Sequence, residues 1–157
     1  MSIILIDAGG TISSLPDAGG KLAGGASGLG ATMAGPVIRQ VYAGLSEDMT
    51  LADMARVRDA VLAALAEPEV TGVLVAHGTD AMEETAFLID LSLPLTKPVI
   101  VTGAMLPMSD PGSDGPANLA AALRAAAGMR KSFETCLFSR RSCRQRGRWR
   151  RQICRRY

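Results

Sequence analysis

Residues 73–86 have the sequence VLVAHGTDAMEETA, in which a short apolar run is followed by a turn and then by a helical pattern. The run at residues 73–76 is apolar throughout, which is typical of a strand in a parallel sheet covered on both faces. From Met82 the apolar residues recur at helical spacing, and Asp80, with Glu83 three residues later, predicts the N-cap of that helix. The stretch therefore predicts a strand, a tight turn and a helix.

Strand and helix patterns alternate along the rest of the chain. Apolar runs at residues 3–6 and 99–102 predict two more buried strands, and residues 133–138 have enough apolar content for a fourth. Helical periodicity covers residues 51–65, with Thr50 as the predicted N-cap, and residues 116–128, which begin at a proline and end at a glycine. This alternation predicts an α/β fold with a mainly parallel sheet and right-handed crossovers.

Residues 16–35 fit neither the strand nor the helix pattern. They contain seven glycines and few apolar side chains. A structureless loop of this length is usually a functional lid or a disordered segment. A flexible lid over the site and a plain linker are both open interpretations of this segment.

Length and composition predict one domain with an aliphatic core. The chain has 157 residues, of which 48% are hydrophobic and only 4% aromatic. No apolar stretch approaches the roughly 18–20 residues that span a bilayer, and the first residues lack the basic segment of a signal peptide. We therefore expect a cytoplasmic protein that does not enter a membrane.

The charge is divided unevenly between the body of the chain and its last residues. Residues 1–130 hold 7 Lys/Arg and 14 Asp/Glu, whereas residues 131–157 hold 10 Lys/Arg and one acid, Glu134. All three cysteines lie in this tail, at spacings that fit neither a zinc site nor a disulfide framework. An aberrant C-terminus is the favoured interpretation, and the alternatives are a partner of the acidic body and a nucleic-acid-binding arm.

The residues that follow the three predicted strands carry the candidate chemistry. Ligands of parallel sheets bind beyond the carboxyl ends of the strands, and here those ends deliver Thr11, Thr79 and Asp80 to one edge. Two hydroxyls beside a carboxylate indicate catalysis by a hydroxyl nucleophile. For His77, the single histidine, a structural role is favoured over that of a base. The sequence has no G-x-S-x-G elbow and no phosphate-binding glycine motif.

Several blocks of the sequence resemble motifs of the bacterial L-asparaginases. Residues 6–12, IDAGGTI, are similar to the first motif, T-G-G-T-I, and residues 77–86, HGTDAMEETA, match the second, H-G-T-D-T-M-E-E-T-A, almost letter for letter. Residues 97–105 and 114–119 resemble the K-P-V…G-A-M-R-P…D-G-P-x-N-L stretch, and residues 46–49 resemble S-Q-D-M. The resemblance covers residues 3–130 and implies a flavodoxin-like three-layer sandwich.

The resemblance also implies a role for each matching residue. Thr11 would attack the side-chain amide and form an acyl-enzyme, while Thr79 and Asp80 would complete the catalytic set. Ser46 would bind the α-carboxylate of the substrate, and Glu47 and Asp80 would bind its α-ammonium. Three small residues at the strand ends complete the substrate-binding set: Gly10, Gly78 and Ala104. Neither a metal nor an organic cofactor is implied.

The chain also departs from the family pattern. Family members are about twice as long, and their smaller C-terminal domain, which contributes to a neighbour's site, is expected to be absent here. The segment 16–35 lacks the family's lid tyrosine, and Tyr42 lies beyond it. The family's proton-handling lysine follows the fourth strand, where this chain has the arginine-rich tail, whereas Lys97 precedes the third strand. Arginine cannot act as that base, because its pKa exceeds about 12.

Three functional hypotheses follow, with residues 1–130 as an N-terminal catalytic domain and residues 131–157 as an atypical tail. The leading one is a homo-oligomeric enzyme that hydrolyses L-asparagine to L-aspartate and ammonia, with activity on L-glutamine left open. The second is a truncated form that binds aspartate or asparagine and turns over little. The third, a nucleic-acid binder acting through the basic tail, is disfavoured.

Overall fold

The computed structural model describes residues 2–16, 19, 22–23, 29, 35–94, 96–128 and 135–138. Across these ranges the elements in chain order are β1 (Ser2–Ala8), β2 (Leu15–Pro16), β3 (Leu22–Ala23), β4 (Val37–Tyr42), α1 (Leu51–Ala66), β5 (Val70–His77), α2 (Met82–Ser92), β6 (Val99–Thr102), α3 (Gly115–Gly128) and β7 (Thr135–Phe138). A short 3₁₀ helix, Ser46–Asp48, lies between β4 and α1. Most of the predicted lid and the tail after residue 138 lie outside the described residues, so their interpretations stay predictions.

Five strands form one parallel sheet in the order β4-β1-β5-β6-β7. Numbered among themselves along the chain, these strands have the order 2-1-3-4-5, which is the flavodoxin-like arrangement. The two-residue strands β2 and β3 pair antiparallel in a separate small sheet. The predicted α/β fold is confirmed, and the reversal in strand order falls between β1 and β5.

The sheet is the middle layer of three. One face packs against α1 and α2, in a core that includes Val57 and Ile89. The other face packs against α3, in a core that includes Leu5, Leu74 and Leu119. Since β1, β5 and β6 are covered on both faces, their side chains are almost all buried, which explains their uninterrupted apolar sequences.

The strand β4 was not predicted from the sequence. It pairs with β1 at the edge of the sheet, and every residue of Val37–Tyr42 is exposed or only half-buried. Arg39 and Gln40 interrupt its apolar residues, so no buried run is visible. The Arg39 guanidinium forms a two-pronged ion pair with Glu67, with distances of 2.5 and 2.9 Å. This pair ties the edge strand to the end of α1.

The pairing of β4 with β1 contains a one-residue β-bulge. Asp7 lies opposite Gln40, but the next residue, Ala8, lies opposite Tyr42, so that Val41 is an extra residue in β4. A bulge changes which side chains face a given side of the sheet. Here the consecutive residues Val41 and Tyr42 both pack against the core formed with α1 and α2.

The helix starts agree with the predictions in part. Thr50 is the N-cap of α1, and its side chain and that of Asp53 bond each other's backbone N–H groups in a capping box. The N-cap of α2 is Ala81, without a side-chain hydrogen bond, so the predicted Asp80 cap is wrong. The helix α3 covers Gly115–Gly128, close to the predicted range. None of the helices in the described ranges is long and apolar enough to span a membrane.

Candidate active site

The candidate site lies where β1 and β5 end side by side. These strands pair in parallel, with Ala8 opposite His77 at their carboxyl ends. The chain therefore leaves the sheet at Gly9 and at Gly78 in adjacent positions. This is also the point where the strand order reverses, and in open α/β sheets the crevice at such a point is where ligands bind.

The turn after β1 is built on two glycines in the left-handed region. Gly9 has a φ angle of 70° and Gly10 one of 79°, which residues with a side chain adopt only under strain. The Asp7 carboxylate accepts the Gly9 N–H at 3.0 Å, and the Gly10 N–H donates to the Gly44 carbonyl at 2.9 Å. The Ser14 N–H and hydroxyl both donate to the Gly10 carbonyl, at 3.1 and 2.8 Å. The turn that carries Thr11 is therefore held on both sides.

Gly10 and Gly78 touch each other, and this contact brings the two candidate threonines together. A methyl group added to Gly10 would lie 2.1 Å from the Gly78 Cα, and one added to Gly78 would lie 2.9 Å from the Gly10 Cα. Thr11 and Thr79 are the residues that directly follow. Thr11 is half-buried and Thr79 is exposed, so both threonines are accessible from solvent.

Ser46 and Asp80 form a reciprocal pair beside this contact. The Ser46 hydroxyl donates to Asp80 Oδ2 at 3.0 Å and accepts the Asp80 N–H at 3.2 Å. This pairing explains the wrong prediction for Asp80, whose carboxylate binds a distant residue instead of the start of α2. Ser46 also lies against Gly78, because a methyl group there would lie 2.3 Å from its Oγ. A hydroxyl beside a carboxylate matches the carboxylate and ammonium of an amino acid.

The two remaining predicted substrate residues have different settings. Glu47 follows Ser46 in the short 3₁₀ helix and is exposed. Ala104 is 1% exposed and packs in the core on the α3 face. Its neighbour Gly103 lies at the site, since a methyl group there would lie 2.6 Å from the His77 carbonyl and 3.5 Å from Thr79 Cγ2. The loop after β6 therefore joins the site through the backbone at Gly103.

Asn118 of α3 and Asp114, just before this helix, hold the loop after β6 in place. The Asn118 Nδ2 donates to the Gly103 carbonyl at 2.9 Å and to Asp114 Oδ2 at 3.2 Å. The other oxygen of Asp114 accepts the N–H groups of Met105 and Leu106, at 3.0 and 3.2 Å. The D-G-P-x-N block of the sequence was the available signal for this support, although no role was predicted for Asp114 or Asn118.

The His77 ring is buried and has a partner at each nitrogen. Nδ1 lies 2.7 Å from the Gly78 carbonyl and Nε2 lies 2.9 Å from Thr85 Oγ1. Because a carbonyl only accepts, Nδ1 carries the proton, and Nε2 of the neutral ring accepts the Thr85 hydroxyl. Burial lowers the pKa of His77 and so favours this neutral form. These contacts support the structural role that the sequence favoured.

Lys97 lies far from the site, as its position before β6 predicted. Its Nζ donates to the Glu67 carbonyl at 2.6 Å, beside the Arg39–Glu67 pair at the other end of the sheet. Lys97 is the single lysine among the described residues, and the stretch after β7, where the family's lysine is expected, lies outside them. The described part of the chain also contains no group of three or more His, Cys, Asp or Glu side chains that could hold a metal ion.

Asp7, Tyr42 and Gly44 contact the site turns but were not predicted as site residues. Asp7 is 0% exposed, and its Oδ2 has no hydrogen-bond partner within the described ranges. A charged residue at the end of the apolar run of β1 was the available signal. The sequence held no such signal for Tyr42 and Gly44, because they contact the turn after β1 only through the pairing of β4 with β1.

Comparisons with known proteins show which family the sequence resembles. The family model "Asparaginase, N-terminal" matches residues 2–152. A probable L-asparaginase 4 of Schizosaccharomyces pombe is 46% identical over 74 residues, which are 47% of this chain and 21% of that protein. A glutaminase-asparaginase of Acinetobacter glutaminasificans is 46% identical over 57 residues, which are 36% of this chain and 17% of that protein.

A solved structure gives the same result. The crystal structure of a probable cytoplasmic L-asparaginase from Campylobacter jejuni superposes with a TM-score of 0.77 and 28% identity. The superposition covers 88% of this chain but 46% of that chain. The chain therefore spans about half the length of this relative, and its matches to the two sequence relatives span about a fifth of theirs.

A methyl group at Gly10 should disrupt the site and the fold together. Gly10→Ala would place a Cβ 2.1 Å from the backbone of Gly78 at a φ of +79°. We expect the free energy of unfolding to fall by about 3 kcal/mol or more, measured by urea denaturation. Gly128→Ala is the matched control, because nothing lies within 4 Å of its added methyl group. Equal stabilities of the two variants would contradict a close contact between Gly10 and Gly78.

The stability of the protein should fall as the pH drops through the ordinary pKa of histidine. Burial lowers the pKa of His77 in the folded state, so the unfolded chain binds a proton first as the pH falls below 6.5. The melting temperature should therefore decrease from about pH 7.5 to about pH 5.5. His77→Asn removes the single histidine and should flatten this slope. An unchanged slope in the variant would assign the pH dependence to other groups.

Proposed function

Since the chain belongs to the asparaginase family, we propose that it hydrolyses the side-chain amide of L-asparagine to give L-aspartate and ammonia. The observation that carries the proposal is the contact between Gly10 and Gly78, from which Thr11 and Thr79 follow on adjacent turns. A hydroxyl nucleophile needs a second group that stabilises charge or moves a proton. Thr11 and Thr79, which follow the carboxyl ends of two adjacent strands, would supply the nucleophile and this second group.

In the proposed reaction Thr11 is the nucleophile. Its Oγ attacks the amide carbon, and the new C–O bond forms as the Thr11 hydroxyl loses its proton. The tetrahedral intermediate then breaks its C–N bond, and the departing nitrogen takes up a proton to leave as ammonia. A water molecule attacks the resulting ester, which releases aspartate and restores the Thr11 hydroxyl. Thr79 stabilises the oxyanion and, with Asp80, takes part in the proton transfers.

The Ser46–Asp80 pair is proposed to recognise the amino-acid end of the substrate. In the free protein the Ser46 hydroxyl donates to the Asp80 carboxylate. A bound amino acid would replace both halves of this bond, because its carboxylate takes the Ser46 hydroxyl while its ammonium takes the Asp80 carboxylate. Glu47, exposed beside Ser46, would be a second partner for the ammonium. Backbone at Gly10, Gly78 and Ala104 completes the substrate site.

A second candidate function is binding of aspartate or asparagine with little turnover. The observation that favours it is the position of Lys97, which is bonded to the Glu67 carbonyl at the far end of the sheet. Among the described residues, no lysine at the site is available to take the proton of the nucleophile. Ammonia release separates the two candidates, because both predict binding and only the first predicts turnover.

The proposal also covers the domain boundary, the assembly and location of the protein, and a second substrate. We propose the domain boundary near residue 130, with an atypical basic tail after it, and a homo-oligomer in the cytoplasm. L-Glutamine is a weaker second substrate in this proposal, and the name of the Acinetobacter relative supports testing it. Ammonia release from asparagine and from glutamine, measured on the same preparation, gives the preference directly.

Replacement of Thr11 should abolish ammonia release without unfolding the protein. Thr11→Val removes the hydroxyl at nearly constant volume, and we expect the rate to fall by about 1000-fold or more. Thr11→Ser keeps a hydroxyl and is the matched control, with a measurable rate. Circular dichroism and melting temperature establish that both variants fold. Residual activity of Thr11→Val above a few per cent of wild type would exclude Thr11 as the nucleophile.

Asp80→Asn should weaken the binding of an amino acid. The change removes the negative charge proposed to hold the ammonium and leaves the side-chain volume almost unchanged. We expect the Kd of L-aspartate, measured by calorimetry, to rise by about tenfold or more, as for the loss of one charged hydrogen bond. Glu83→Gln is the control, because this exposed acid lies in the first turn of the same helix. Equal effects of the two variants would indicate that the carboxylates act only through the general electrostatic potential, with no direct contact between Asp80 and the ligand ammonium.

A further inference from the structure

We propose that Tyr42 is a positioning residue that fixes the segment around Ser46 against the turn that carries Thr11. The inference rests on the proposed function, because it gives Tyr42 a part in presenting Ser46 to an amino-acid substrate. Tyr42 is the last residue of β4 and lies outside the lid segment 16–35. Its contribution comes from the free protein's own contacts and involves no contact with the substrate.

The Tyr42 hydroxyl is bonded to the backbone directly before Ser46. It donates to the Leu45 carbonyl at 3.1 Å. The same carbonyl accepts the Asp48 N–H at 3.2 Å, which closes the 3₁₀ helix that contains Ser46. The phenol therefore holds the carbonyl from which this short helix begins. A 3₁₀ helix of three residues has few bonds of its own, so its position depends on bonds from outside it. The Tyr42 hydroxyl supplies one of these at the start of the helix, and the Ser46–Asp80 pair supplies the others.

The Tyr42 ring occupies the space left by two glycines of the site. A methyl group at Gly9 would lie 3.0 Å from Tyr42 Cδ1, and one at Gly44 would lie 2.3 Å from the Tyr42 hydroxyl oxygen. The Gly44 carbonyl in turn accepts the Gly10 N–H at 2.9 Å. One aromatic side chain thus contacts the turn after β1 with its ring and the segment before Ser46 with its hydroxyl.

The β-bulge in β4 accounts for this placement. The extra residue, Val41, puts Tyr42 opposite Ala8, the residue that precedes the Gly9–Gly10 turn. The side chain consequently lies on the α1 and α2 face, where it packs against the core. Bulges frequently occur next to active sites, where they direct a side chain that regular pairing would send elsewhere.

The phenol is suited to act as a permanent donor. Burial raises the pKa of Tyr42, and the carboxylates of Asp53 and Asp48 raise it further. The hydroxyl therefore keeps its proton at neutral pH and above, and the bond to the Leu45 carbonyl persists. The position of the Tyr42 hydroxyl beside the Leu45 carbonyl determines its partner, and burial and the neighbouring carboxylates keep the hydroxyl protonated, so that it donates.

Positioning by Tyr42 would affect substrate binding more than chemistry. The Tyr42 hydroxyl affects Ser46 through its bond to the Leu45 carbonyl. The turn that carries Thr11 is held by other bonds, which involve Asp7, Gly44 and Ser14. Loss of the phenol hydroxyl leaves those bonds intact. It frees the start of the 3₁₀ helix, so Ser46 samples positions in which it no longer meets a ligand carboxylate.

The test compares Tyr42→Phe with Thr71→Val in the full chain. Tyr42→Phe keeps the ring and removes only the hydroxyl, whereas Thr71→Val removes an exposed hydroxyl bonded to the Ser2 carbonyl at the opposite end of the sheet. Amide hydrogen exchange at Asp48 and Met49 is measured by nuclear magnetic resonance. The Kd of L-aspartate, and KM and kcat for L-asparagine, are measured on the same samples.

We expect faster exchange at Asp48 and Met49 in Tyr42→Phe, and a Kd and KM about tenfold higher, as for the loss of one net hydrogen bond. The kcat should change by less than about twofold, and Thr71→Val should resemble wild type in every measurement. Tyr42→Leu, which also removes the ring, should lower the melting temperature, which Tyr42→Phe should largely preserve.

Two results would overturn the inference. Unchanged exchange in Tyr42→Phe would show that the phenol does not hold the segment, whatever the activity of the chain. Faster exchange with an unchanged Kd would reduce Tyr42 to a structural role. Wild-type protein that neither binds aspartate nor releases ammonia would instead refute the proposed function, and the exchange rates would then decide by themselves whether Tyr42 positions Ser46.

Discussion

The close approach of two backbones at Gly10 and Gly78 is the constraint on which the rest of the site depends. With a methyl position only 2.1 Å from the neighbouring Cα, no side chain fits between the two turns. The parallel pairing of β1 and β5 in turn sets where the turns begin. Thr11 and Thr79 directly follow the two glycines, and the Ser46–Asp80 pair lies against Gly78. Backbone contacts therefore set the arrangement of the site, and the candidate side chains lie around them.

The central part of the fold was predictable because it follows from local patterns. Strands β1, β5 and β6 are buried on both faces, so each leaves an uninterrupted apolar run in the sequence. The capping box at Thr50 and Asp53 was half visible for the same reason, since its residues are three apart. Strand β4 was missed because an edge strand is only partly buried, and Arg39 and Gln40 break its pattern.

The site was predictable where a motif is continuous, and less so where distant segments meet. Thr11 and Thr79 were identified from the strand-end motifs, and the structure brings their turns together, although their catalytic roles stay predictions. The Asp80 cap was wrong because Ser46, 34 residues earlier, takes its carboxylate. Local rules cannot detect such a competitor, which is specified only by the tertiary fold. Tyr42 was missed for the same reason, since its site contacts depend on strand pairing. Asp7 is different, because its contact with the Gly9 N–H is local and the charged residue at the end of an apolar run was a signal that was overlooked.

The bulge at Val41 has a consequence for how this chain tolerates changes in length. Because side chains alternate along a strand, deleting one residue between Val37 and Val41 would restore regular pairing with β1 and turn the residues on one side of the gap to the opposite face. Point substitutions at the exposed positions of β4 leave the alternation untouched. The edge strand is therefore permissive to changes of residue and intolerant of single-residue deletions, so variation among natural relatives should be read there by counting residues as well as by comparing them.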